Sequence, residues 1–184
     1  MPSGRTHDRI TLWLLPGVAL LAGLLSRDGS LTLACCGTYL FAGLMFGPDL
    51  DIRSRQYARW GWLRWIWKPY QRLFRHRSRF THGPLLGTLG RLLYLGGWLT
   101  LPVGLGLAIA PQPTQQWAIA PLQTWVVTAP TQLPLLLAIL AGLELGAMSH
   151  SVSDWLGSAL KRLGRSRRRP HRRHTGKRLS SGRR

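Results

Sequence analysis

Hydrophobic positions along the chain fall in four long blocks, Ile10–Leu25, Leu31–Phe46, Pro84–Ala110 and Leu133–Met148, with polar residues gathered between them. Arg91 is the one charge in the third block and Glu144 the one charge in the fourth. Crossing the roughly 30 Å hydrocarbon layer takes about 20 apolar residues. At about 1.5 Å per residue the first two blocks are slightly short and the third is long enough. A soluble bundle of buried helices is the alternative, but a small one needs wet helix faces, and these blocks have almost none. The pattern predicts an all-α integral membrane bundle of about four transmembrane helices.

Between the second and third blocks, "ARWGWLRWIWKPYQRLF" repeats at helical spacing. Trp60, Leu63, Trp67 and Phe74 form an apolar stripe; Arg64, Lys68, Arg72 and Arg75 form a basic one. That is the pattern of an amphipathic helix lying in the headgroup layer, interrupted at Pro69. A surface helix packed on the domain itself is the competing reading. From Lys161 onward the chain is mostly arginine and is expected to be disordered, because like charges repel and little can be buried. The division is a membrane-embedded helical domain over 1–158 and a basic tail over 159–184.

Charge sharpens the topology. The chain has 25 Lys+Arg against 6 Asp+Glu, a net charge of +19, which calls for anionic partners. Threading four spans sets the N-terminus, the 47–83 loop and the tail on one side, and nearly every positive charge lies there. The positive-inside rule then makes both termini cytoplasmic. On the far side, the segment 111–132 has no charge, and Trp117 and Trp125 suit an interface. Membrane lipid is the first partner, and the tail is suited to anionic lipid or RNA. Cys35 and Cys36 read as reduced, small hydrophobes. The first apolar run lacks a clear small-x-small cleavage site, so retention as a membrane segment is expected.

The scarce acids and the histidines outside the tail then stand out. "THD" places His7 and Asp8 before the first span, and "GPDLD" places Asp49 and Asp51 after the second, both carboxylates pointing one way if that stretch is extended. "HRSRFTHG" carries His76 and His82 into the third span, where Pro84 suits a first helical position. "HSVSD" sets His150 and Asp154 on one helix face at i and i+4. Each has an ordinary reading as a cap, a turn residue or a solvated side chain. Together, four segments deliver imidazoles and carboxylates to one end of a bundle, a donor set suited to a divalent metal: zinc first, manganese or iron next. His76 and His82 are six positions apart, so a loop must fold back to bring both inward. His76 is either a ligand of a second ion or a phosphate contact beside Arg75, Arg77 and Arg79.

This set of motifs, from about residue 1 to residue 158, resembles a bacterial family of uncharacterised metal-binding membrane proteins. It is similar, more distantly, to membrane-bound metal-dependent hydrolases. The resemblance implies metal-site positions at His7, Asp49, Asp51, His82, His150 and Asp154, with His76 matching the first histidine of its motif. H-x-x-x-D is also similar to a pair in zinc-dependent phospholipase C. This chain lacks that family's further histidines and second late acid pair, so a trinuclear cluster is not implied.

The function expected is metal-dependent hydrolysis of phosphoesters, lipid phosphoesters included, at the cytoplasmic membrane face. The ion lowers the pKa of bound water, and Asp51 or Asp8 takes the proton. Arg77, Arg79 and Arg91 neutralise the phosphate, although Arg91 is better placed to snorkel to the interface. The alternative is a non-catalytic protein whose metal staples helix ends while the tail recruits RNA or anionic lipid.

Overall fold

The structure is a computed structural model that describes residues 4–76, 78–111, 120, 121, 124 and 129–167. Every regular element among them is helical. Four long helices correspond to the four apolar blocks: α1 (Gly4–Ser26), α2 (Gly29–Leu44), α6 (Leu86–Ile109) and α7 (Leu133–Arg167). Between α2 and α6 a cap of short pieces crosses one end of the bundle: a 3-10 turn (Pro48–Asp51), α3 (Arg55–Arg59), a second 3-10 turn (Gly61–Ile66), α4 (Trp67–Leu73) and α5 (Arg79–His82). All four long elements have the length and apolarity to cross a membrane. Their outer faces carry exposed Leu20, Leu24, Leu93, Leu101 and Leu137.

The helix α2 is central, packing against α1 and most extensively against α7. Two glycines on α7 make that approach possible. A Cβ on Gly142 would lie 2.2 Å from the Cys35 carbonyl oxygen, and one on Gly146 would lie 2.4 Å from that of Tyr39. Four residues apart, they share one face of α7, so the two backbones touch along a small-residue groove. Tyr39 ties the third helix in, its hydroxyl donating to the Thr11 carbonyl at 3.0 Å. At the end opposite the cap, Asp28 caps α2 by accepting from the Ser30 and Leu31 amides. The Ser30 hydroxyl, together with these amides, holds its carboxyl below the usual carboxylate range.

The helix α6 meets α7 only lightly and is held mainly through the cap. The anchor is an aromatic cluster. Trp67, fully buried, lies 5.0 Å from Trp60, 5.6 Å from Tyr70 and Tyr94, and 5.8 Å from Phe46, ring centre to ring centre. Tyr94 on α6 also donates to the Ile66 carbonyl, and Trp60 donates to Met45 at 2.9 Å.

The cap departs from the expected interfacial helix in two respects. It is broken into pieces, because Gly61 adopts φ +55° after α3 and turns the chain. Pro69 falls in the first turn of α4, where a missing amide costs nothing. Its stripe residues Trp60, Trp67 and Phe74 face the domain's own core, so the competing reading, packing on the domain itself, describes them. Trp62 and Trp65 are the exposed aromatics of the segment. Helix α7 continues beyond residue 158 to Arg167. Residues 168–184, with most of the tail, lie outside the described residues, as do Trp117 and Trp125.

Candidate metal centre

Four segments meet where the cap closes over the start of α1, the end of α2 and the middle of α7. Pro48 opens the 3-10 turn that carries Asp49 and Asp51. This corrects the extended geometry expected there: proline fixes φ near −65° and favours a tight turn. The two carboxylates therefore reach the site from different sides of His82. Asp49 Oδ1 lies 3.6 Å from His82 Nε2, while Asp51 Oδ2 lies 3.8 Å from its Nδ1. Gln56 steadies the turn, donating to the Gly43 carbonyl at 2.9 Å and accepting from the Asp49 amide at 3.2 Å.

His150 arrives from α7, its Nε2 3.2 Å from Asp49 Oδ2. Asp154, one turn on, faces the same way. Ligand atoms of Asp49, His82, His150 and Asp154 all lie within 4.8 Å of one another, and so do those of Asp51, His76 and His82. The loop folds back as the spacing of the histidines requires, with the His76 and His82 rings 5.1 Å apart. His76 Nδ1 stands 2.9 Å from Asp51 Oδ1. His7 comes from α1. Its ring stacks on His150 at 3.8 Å, its Nε2 is 3.3 Å from Asp154 Oδ1, and its Nδ1 is 2.7 Å from the Ser153 hydroxyl.

The donor chemistry fits a divalent cation. Buried Asp51 Oδ2, His82 Nε2 and both His150 nitrogens have no hydrogen-bond partner in the structure. Leaving such groups bare costs about 1–3 kcal/mol each, and a cation shared by nitrogen and carboxylate oxygen removes that cost.

Other candidate residues take different places. Asp8 stands outside both groups of ligand atoms. Its carboxylate is clasped by Arg55 at 2.7 Å and by Arg59 at 2.8 and 2.9 Å, which staples α1 to α3 at the rim of a cleft that also reaches Asp49. Arg91 does not snorkel: it is 1% exposed. It donates to the Thr81 carbonyl at 2.9 Å and to Thr88 at 3.1 Å, with its guanidinium 5.7 Å over the Phe46 ring. A carbonyl at the end of α5 gives it a partner inside the protein, so it holds the turn that carries His82. Arg79 is exposed on α5, and Arg77 lies outside the described residues.

Two supporting residues carry no motif. Ser153 orients His7 and is legible only once α7 is known to face α1. Glu144 accepts from the Leu85 amide at 2.9 Å. Leu85 has φ +60°, ψ −52°, and the Leu86 amide donates to the Pro84 carbonyl across it, a strained γ-turn. This turn starts α6 at Leu86 and displaces Pro84 from the helical position expected for it.

Comparison with known proteins agrees with this chemistry. An uncharacterised protein of Aquifex aeolicus is 43% identical over 58 residues, a match covering 31% of this chain and 40% of that protein. The chain thus spans less than half the length of that curated relative. No solved structure matches. The family profile of uncharacterised metal-binding proteins, DUF2227, matches from residue 2 to residue 164, and the chain belongs to that family.

Proposed function

We propose that the protein is a membrane-bound, metal-dependent hydrolase of phosphoesters, working at the cytoplasmic face with both termini on that side. The observation that carries this reading is a cluster of convergent histidine and aspartate ligand atoms, several of them buried without a hydrogen-bond partner, that remains open on two sides. One cleft, about 320 Å³, reaches Asp49, His150 and Asp154 past Arg53 and Arg55; another reaches His82 along α7. A purely structural ion is enclosed by its ligands, whereas a catalytic one keeps an accessible position.

In this reading Asp49, His82, His150 and Asp154 hold the ion, zinc before manganese or iron. His76 holds Asp51 beside it through Oδ1. His7 fixes the ring of His150 by stacking, and Ser153 fixes His7. When bound, such an ion supplies water activation near neutral pH and charge neutralisation. Asp51, whose Oδ2 has no partner, accepts the proton as the water oxygen bonds to phosphorus and the ester P–O bond breaks. The departing alkoxide takes a proton from solvent in the open cleft. Arg53 and Arg55 line the first cleft, near enough to attract an anionic substrate, and the basic tail favours an anionic membrane surface or RNA.

Metal analysis of the detergent-purified chain, beside an Asp49→Ala/His150→Ala double variant, tests the reading. About one or two ions per chain and a phosphoesterase signal are expected in the parent and neither in the variant. Bound metal without turnover on any phosphoester, with unfolding on chelation, would leave a structural staple instead.

A further inference from the structure

Two clefts meet at His82. The first, about 310 Å³, has His82, Arg91 and Glu144 around one part and Ala147, Met148 and Val152 of α7 along the other. The second, about 290 Å³, runs from His82 past Asp154 to Ser158 and Arg162. His82, Ser151 and Trp155 line both. They are therefore two ends of one groove along α7, with metal-ligand candidates at its middle.

The groove is graded in polarity. Its Met148–Val152 end lies in a segment apolar enough to cross a membrane, and its other end carries the exposed cation Arg162. Met148, Val152 and Trp155 are 36%, 48% and 71% exposed, so the apolar wall is uncovered. Because α6 and α7 touch only lightly, this end of the groove lies between two candidate spans. Beneath the wall, Arg91 Nε and Glu144 Oε2 are buried without partners, so the floor is polar where it meets His82. A small soluble phosphoester would leave the apolar wall wet. A bare hydrocarbon would leave the cationic end and the ligand atoms unanswered.

We propose that this groove binds an amphiphilic phosphoester, with its hydrocarbon chain against Met148 and Val152 and its anionic head between His82 and Arg162. The proposal rests on the metal-dependent hydrolase reading and names its substrate class. Each methylene moved from water to such a wall strengthens binding by up to about fourfold, so a short soluble chain is enough to reveal it.

The test titrates hexyl phosphate, glycerol 3-phosphate and hexanol into the full-length, zinc-supplied protein in phosphatidylcholine nanodiscs, with empty discs correcting for partition. Hexyl phosphate is expected to bind at least tenfold more tightly than either of the others. Val152→Trp and, separately, Met148→Trp fill the wall and should remove that preference while zinc content stays at the parental level. Equal affinity for hexyl phosphate and glycerol 3-phosphate, hexanol binding as tightly as hexyl phosphate, or a preference that survives both substitutions overturns the proposal. The two readings fail separately. Hydrolysis of short and long esters at equal efficiency removes the groove and keeps the hydrolase. A chain preference abolished by Val152→Trp, in a protein that hydrolyses nothing, keeps the groove and removes the hydrolase.

Discussion

Gly146→Ala puts the strongest single demand on the geometry described here. The added Cβ would sit 2.4 Å from the Tyr39 carbonyl oxygen, 2.8 Å from Ala42 Cβ and 2.9 Å from the Gly43 amide nitrogen. Two of these three atoms are backbone, so no rotamer change relieves the clash. Ordinary contact begins near 3.4 Å, so α7 must retreat from α2 by about 1 Å, an overpacking that costs about 1–3 kcal/mol. His150 lies one turn further along α7, and its Nε2 is 3.2 Å from Asp49 Oδ2 at the end of α2. Moving one of two ligands by half the length of a roughly 2 Å metal–nitrogen bond should weaken metal binding about 10–100-fold, the loss typical when a ligand is misaligned. The assay is competitive chelator titration of the zinc-loaded protein, with thermal unfolding in the same detergent. Gly97→Ala on α6 is the control, since nothing lies within 4 Å of a Cβ there. If Gly146→Ala retains zinc within about twofold of the parent and melts with it, α2–α7 contact does not set the site, and the argument fails.

Other perturbations probe the supports around the centre. Leu85→Gly relieves the positive-φ turn, a strain of about 1–3 kcal/mol, and because Leu85 is 71% exposed a rise in melting temperature is expected; a fall refutes the strained turn. Arg91→Met leaves the Thr81 carbonyl without its donor and should destabilise by about 1–3 kcal/mol while lowering zinc affinity through His82; unchanged affinity would mean that α5 needs no anchor. Burial pushes the Tyr70 phenol up to about 12, with the neighbouring Arg91 opposing the rise. In the unfolded chain a tyrosine loses its proton near 10, so above that pH the unfolded state binds fewer protons, and stability falls between about 10 and 12. In Tyr70→Phe the part of the alkaline loss due to this phenol should vanish, read as a shallower fall in denaturation midpoint over that range.

The long helices were legible because each apolar block runs for about the length of a span with at most one charge inside it. The ligand-bearing segments were legible for a different reason. Acids are so rare in this chain that Asp49, Asp51 and Asp154 stand out. What periodicity does not carry is direction. The stripe through Trp60, Trp67 and Phe74 has the same spacing whether it meets lipid or the chain's own Phe46 and Tyr94. Arg91 in an apolar run snorkels or is buried according to whether a carbonyl stands near it, and Thr81 is brought there only by the fold-back after His76. The 3-10 turn at Asp49 and Asp51 was half legible: Pro48 favours a tight turn, but two acids at alternate positions also fit an extended stretch. Ser153 and Asp8 have roles defined by what faces them from distant segments, His7 in one case and Arg55 with Arg59 in the other.

The hydrogen-bond distance between His7 and Ser153 joins positions 146 residues apart. During synthesis the first helix can therefore settle on α2 and α3, but His7 waits for its serine until α7 has left the ribosome. A nascent chain halted after α6 would carry His7, Asp49, Asp51, His76 and His82 but neither His150 nor Asp154. The four-residue group with His150 and Asp154 is thus completed only once α7 has arrived, whereas the Asp51, His76 and His82 group is already present before it.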